Sequence, residues 1–219
     1  MKKYHKFTIT ILALSLAGCY VPQNFNNQVQ ISRTGQYQVD FDTDIVSARL
    51  LAGQAEAKAH KQEISADDLK KLSTQCEDDF NYIVAQDAKN GKHILSSKYS
   101  GGCRGHLTLK YAGNIIEEKT FHNSIGNSEV GFKIPLTIKY DAKNKQIVIN
   151  GKTKVDDKKT LAALSSFQYN GKLNIKTDGK VISTNADSKP YWGLIGSYKW
   201  DVKDMTTPDA SMIISTSGI

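Results

Sequence analysis

The chain has 219 residues, 39% of them hydrophobic, and a formal net charge of +7, a length and apolar share that suit one domain with a real core. Lys2, Lys3 and Lys6 lie in residues 1–18, which hold no acid, so the chain from Cys19 on carries 26 basic against 22 acidic residues, or +4. A charge that mild argues against nucleic acid as a partner.

Lys2, Lys3 and Lys6 supply a positive start, and Phe7 to Leu16 an apolar run too short to span a bilayer stably. Leu16-Ala17-Gly18-Cys19 follows, small residues before a cysteine. This run resembles the lipobox of bacterial lipoproteins. The resemblance implies that residues 1–18 are a signal peptide and that Cys19 becomes the mature N-terminus, with a diacylglycerol on sulfur and an acyl chain on nitrogen. Each buried methylene contributes about 0.8 kcal/mol, so several chains make a durable anchor. In that family an aspartate after the cysteine favours the inner membrane; Tyr20 stands there, which implies the outer membrane. No later apolar run reaches about 18 residues, so the lipid is the expected anchor.

Residues 19–30 are rich in Asn and Gln and read as a flexible tether, leaving 31–219 as a single globular domain. Tyr37, Val39 and Phe41 alternate with Gln36, Gln38 and Asp40, the period of a half-buried strand. Ala52 to Ala59 has helical composition. Ser65 opens the clearest helix, expected over about 65–80: it is a good N-cap, Asp67 and Asp68 complement the dipole, and Ile64 is placed to staple onto Leu69. Leu69, Leu72, Cys76 and Phe80 then form one apolar stripe. Strands follow at Ile94 to Tyr99, Leu107 to Tyr111 and Phe132 to Tyr140. Pro135 cannot donate to a ladder, which puts an edge or a bulge there. Asp141 to Lys145 is a turn leading to a strand at Ile147 to Ile149, and Leu161 to Phe167 reads as a short helix. Leu173 to Thr177, Val181 to Ser183, Tyr198 to Val202 and Met212 to Ile214 complete about eight strands. With no βαβ rhythm, the fold class is α+β, a mostly antiparallel sheet with one amphipathic helix packed on it.

With Cys19 set aside, Cys76 and Cys103 remain, and an exported, oxidising setting makes them one disulfide. The alternative is a free, reactive Cys103. Ser100-Gly101-Gly102-Cys103-Arg104 resembles the Ser-x-Gly-Cys-x-Arg signature of L,D-transpeptidases, which implies a cysteine nucleophile acting on peptidoglycan; here the arginine comes one place early and no His-Gly pair stands upstream. His60, His93, His106 and His122 show no metal-ligand spacing, and no nucleophile elbow or phosphate loop is present. Glu77-Asp78-Asp79 and Asp156-Asp157 read as solvated charge. No catalytic set, metal or cofactor is expected.

Leu173-Asn174-Ile175-Lys176-Thr177-Asp178-Gly179-Lys180-Val181, then Asn185-Ala186, then Tyr198-Lys199-Trp200-Asp201-Val202 resembles the closing pattern of LppM-like bacterial lipoprotein domains. The resemblance implies a surface lipoprotein domain and no reaction. Trp200, between Lys199 and Asp201, points opposite those charges, into the core. Lys110, Lys133, Lys139, Lys172, Lys176, Lys199 and Lys203 give a solvated outer face able to touch anionic polymers or headgroups. Tyr191, Trp192, Leu194 and Ile195, in a loop between Pro190 and Gly196, form a candidate binding surface if exposed. The expectation is a non-enzymatic envelope lipoprotein that binds or supports another component, its partners being the membrane through its lipid and an envelope protein, lipid or anionic polymer. A carrier of a lipid or apolar ligand, with a cavity between helix and sheet, is the alternative.

Overall fold

A computed structural model describes residues 19–61, 63–122, 124–126, 131–151, 169–191, 196–204 and 207–217. Residues 1–18, expected as a signal peptide, and the Leu161 to Phe167 segment, expected as a short helix, lie outside the described residues. The first strands are β1 (Cys19–Ile31) and β2 (Gln36–Ser47), followed by helices α1 (Ala48–Ala59) and α2 (Ala66–Asn90). Then come β3 (Ile94–Gly101), β4 (Arg104–Asn114), the one-turn α3 (Ile115–Glu118), β5 (Ser124–Gly126), β6 (Gly131–Lys133), β7 (Thr137–Asp141) and β8 (Gln146–Gly151). The last four are β9 (Gly171–Thr177), β10 (Lys180–Thr184), β11 (Tyr198–Val202) and β12 (Ala210–Ser215).

The strands form two sheets. One runs β11-β9-β1-β2-β4-β3, with β6 also paired to β1 and β5 to β6; the other runs β10-β12-β8-β7. The larger sheet is mixed: β1 pairs parallel with β9 and β6 and antiparallel with β2. The α+β class stands in this coarser form, with twelve strands and three helices among the described residues.

Residues 19–30, expected as a tether, are instead most of the central strand. Phe25, Asn27, Val29 and Ile31 are buried while Asn26, Gln28 and Gln30 face solvent. Apart from the buried Asn27, the carboxamides that suggested disorder lie on the wetter half of a period-two pattern. Asn24 sits at φ 50° where the register against β2 shifts, a left-handed position that asparagine tolerates.

The Phe132 to Tyr140 strand is also corrected. It divides at Pro135, around which the Leu136 N–H closes a tight turn onto the Ile134 carbonyl at 2.8 Å. The first half, β6, joins the larger sheet and the second, β7, the smaller. The β7–β8 hairpin forms as expected, with the Asp141 carboxylate accepting the N–H groups of Lys143 and Asn144.

Ser65 caps α2, its hydroxyl accepting the Asp68 N–H at 3.1 Å. The helix runs past Phe80 to Asn90 because Ile83 and Asp87 continue the buried stripe of Cys76 and Phe80. Leu69 is 41% exposed and takes no part in that stripe. Buried residues of both sheets and α2, among them Phe41, Leu109, Ile149, Met212 and Phe80, belong to one core. Phe41 lies at its centre, with ring centroids 5.8 Å from Phe25 and 5.9 Å from Phe132. At Gly171 a Cβ would fall 2.5 Å from the Phe25 ring, so a glycine is needed for that ring to cover β9. Trp200 is buried as expected, and its indole N–H donates to Asn185 Oδ1 at 2.8 Å.

Cys76 and Cys103 are joined, with Cα atoms 5.1 Å apart. Two tyrosines reinforce the join: the Tyr20 hydroxyl donates to the Cys76 carbonyl at 2.6 Å, and the Tyr99 hydroxyl to that of Ser73 at 2.9 Å while accepting the Cys103 N–H. The bond spans 27 positions of chain, a loop whose closure is worth about 3–4 kcal/mol on the chain-entropy account. The double substitution Cys76→Ala with Cys103→Ala is expected to lower unfolding stability by about that amount. Urea titration of wild type and variant measures it; an unchanged midpoint would remove the clasp from the stability account.

Candidate functional site

Burial separates the sequence-derived candidates from one another. Cys103 is 1% exposed, bonded to Cys76, and lies in the β3–β4 turn, where Gly101, Gly102 and Cys103 all have positive φ. A sulfur held in a disulfide is no thiolate, so this arrangement removes the cysteine nucleophile that the Ser100 to Arg104 run would need. Tyr191 is 80% exposed; Trp192, Leu194 and Ile195 lie outside the described residues. The acids at Asp78 and Asp79 part company: Asp78 is exposed, while Asp79 approaches Arg49 of α1 at 3.4 Å. Burial, more than any charge, raises the Asp79 carboxyl above its ordinary value. Asp156 and Asp157 are outside the described residues. Lys110, Lys139, Lys172, Lys176, Lys199 and Lys203 are exposed, as a solvated face requires.

Two of the four described histidines lie beside carboxylates, while His60 and His122 are exposed. His106 lies on the open face of the larger sheet, where β4 pairs with β2 and brings it opposite Asp44. Its Nδ1 is 3.0 Å from Asp44 Oδ1 and its Nε2 3.3 Å from Asp42 Oδ2, which also accepts the Thr108 hydroxyl at 3.0 Å. No group of three His, Cys, Asp or Glu side chains is placed to hold a metal ion among the described residues.

His93 stands in a cleft that sequence reasoning missed. The cleft has a volume of about 210 Å³ and opens between the last turns of α2 and the β4 and β5 segments, lined by Gln86, Asp87, Asn90, Tyr111 and Ser124 among others. Three local features build it. Asp87 is the last buried position of the α2 stripe, and its carboxylate accepts the Ile94 N–H at 2.6 Å. Its backbone carbonyl ends the helix by accepting the N–H groups of Gly91 and Lys92. At Gly91 a Cβ would fall 2.0 Å from the His93 ring, so a side chain there would expel the imidazole.

His93 thus folds against Tyr111, their ring centroids 4.2 Å apart. Its Nδ1 comes 3.5 Å from Asp87 Oδ1, too far for a hydrogen bond. Tyr111 is braced edge-on by Phe121 at 5.2 Å. The Tyr111 hydroxyl and His93 Nδ1 are buried without a hydrogen-bond partner. Burial first, and the nearby charge of Asp87 second, push the Tyr111 phenol well above its ordinary value, so it keeps its proton as a donor. Asp87 is 4% exposed, and His93 is the only basic side chain that forms an ion-pair contact with it among the described residues. The alternative reading, an apolar-ligand carrier, calls for an apolar cavity between helix and sheet; the cleft at this place is small and of mixed polar and apolar lining.

His106 supplies the pH dependence. The hydrogen bond to Asp44 is the chief cause that raises its imidazole above 6.5, and the same bond chiefly holds Asp44 below 3.8. The His106 contribution is present in full below about pH 6.5 and fades as pH rises through the raised folded value; the Asp44 contribution fades as pH falls through its lowered one. Side-chain exposures of 38% and 51% keep the pair's worth under about 1 kcal/mol. An NMR titration is expected to place the His106 midpoint above 6.5 in wild type and lower in Asp44→Asn. A wild-type midpoint at or below that value would sink the pairing.

No protein-family model matches the chain, and no curated protein matches it in sequence. Among solved structures, the NMR structure of the folded domain of Mycobacterium tuberculosis LppM covers 90% of this chain and 91% of its own, at 12% identity and a TM-score of 0.43. This chain is similar to that lipoprotein domain at a level too low to carry fold or function from one to the other.

Proposed function

We propose that the protein is a non-enzymatic binding module, fixed to a bacterial envelope membrane through lipid on Cys19. The observation that carries this reading is how the cysteines divide. The chain has three, and Cys76 and Cys103 are bonded to each other. That leaves Cys19, the residue that follows a charged start, a short apolar run and Leu16-Ala17-Gly18. A disulfide also suits an exported protein.

The fold adds a consequence for how the anchor holds the body. Cys19 is the first residue of β1, its backbone registered with Gly131, and Tyr20 beside it is 3% exposed. Acyl chains there would join the folded domain with no spacer and hold that end of the sheet at the membrane surface. The lysine-bearing open face then serves for contact with anionic headgroups or polymers, and the Asp87–His93–Tyr111 cleft for a small polar ligand. The outer membrane is the expected location.

Intact-mass measurement on protein extracted from membranes tests the reading. The expected species starts at Cys19 and carries a diacylglyceryl group plus an N-acyl chain, and Cys19→Ser moves the protein to the soluble fraction. An unmodified Cys19 in membrane-extracted protein would overturn it.

A further inference from the structure

We propose that the cleft at the end of α2 binds a single amino sugar unit through its free ammonium group, with Asp87 as the anionic receptor and Tyr111 as a second hydrogen-bond partner. The proposal rests on the reading of this cleft as a binding site and goes further by naming the charge and size of what it takes.

Charge comes first. A buried carboxylate requires a positive partner or several donors, because leaving it bare in low dielectric is costly. Asp87, 4% exposed, accepts the Ile94 N–H and has the His93 imidazole 3.5 Å away, a partner that is positive only when protonated. It also lies in the last turn of α2, where the helix carbonyl end favours cations. Lys89 and Lys92, the nearest lysines in sequence, are exposed. The Tyr111 hydroxyl is independent of the helix end and points the same way: Tyr111 is 6% exposed, lines the cleft, and its hydroxyl has no partner. The His93 side chain, packed on Tyr111 and beside Asp87, is 32% exposed and no hydrogen bond holds its Nδ1, so it is the group that an entering ligand must displace.

Size and rim choose among ammonium compounds. A volume of about 210 Å³ admits one pyranose ring and falls below the pockets of drug-sized ligands. Gln86, Asn90, Ser124 and His122 also line the cleft beside Ile125, and the Asn90 carboxamide donates to that of Gln86 at 3.4 Å. Groups of mixed donor and acceptor character suit the hydroxyls flanking an amine on a sugar. An ion with no hydroxyls would leave that rim unused.

The test is calorimetric titration of the full chain, solubilised in detergent, with glucosamine at mildly acidic pH, and with glucose and N-acetylglucosamine as controls without the charge. Glucosamine is expected to bind at least tenfold more tightly than either control. Asp87→Asn, which keeps shape and the Ile94 contact, is expected to weaken it at least tenfold, and Tyr111→Phe severalfold. Equal binding of glucose and glucosamine, or unchanged affinity in Asp87→Asn, overturns the ammonium assignment while the cleft remains a binding site. No binding by any of the three sugars overturns both. Should Asp87→Asn fail to fold, NMR of the wild type decides: glucosamine must shift the His93 and Tyr111 resonances, and their constancy sinks the proposal.

Discussion

Strand β1 is the constraint on which the larger sheet depends. It is hydrogen-bonded along one side to β2 and along the other to β9 and β6, so β11–β9 and β2–β4–β3 share a sheet through it. Its inward residues, Phe25, Val29 and Ile31, sit in the common core, and Phe25 reaches across to stack on Phe41. Pulling this strand out would expose two sheet edges and open the core together, which is why a segment with so polar a composition is held so firmly. The same strand begins at Cys19, so the proposed anchor and the fold would meet in one element.

A second set of contacts fixes α2 over that sheet. The disulfide and the hydroxyls of Tyr20 and Tyr99 bind the helix near Cys76, while Asp87 closes its other end on Ile94. Both ends being tied, the cleft beyond Asp87 is a feature of a fixed helix rather than of a loose one. Its floor keeps a hydroxyl without a partner, at a cost of about 1–3 kcal/mol for such a group. Polar groups held buried at a cost are where binding chemistry is sought.

Much of the fold was legible in the residues. The period-two runs at Tyr37 to Phe41, Leu107 to Tyr111 and Leu173 to Thr177 fall in β2, β4 and β9, and the Ser65 cap opens α2. The helix was read too short, ending at Phe80, although Ile83 continues its apolar stripe, and Asp87, a carboxylate further along that stripe, interrupts the pattern. That interruption was the one signal of the cleft available before folding. His93 and Tyr111 gave none, since their meeting depends on the missing side chain at Gly91 and on β4 lying beneath the helix end.

Local chemistry, then, settled what is local: the charged start and short apolar run before Cys19, the helix cap, the alternation of strands, and the candidate disulfide partners among three cysteines. Tertiary structure alone decided that Asn/Gln-rich residues 19–30 form a central strand, that Pro135 passes the chain from one sheet to the other, and that β1 pairs parallel with β9. The reason is physical. Alternation and capping act between residues a few positions apart, whereas the partner that satisfies a strand's hydrogen bonds, and the cleft between a helix end and a sheet, are set by groups far apart in the chain that meet only when the core closes.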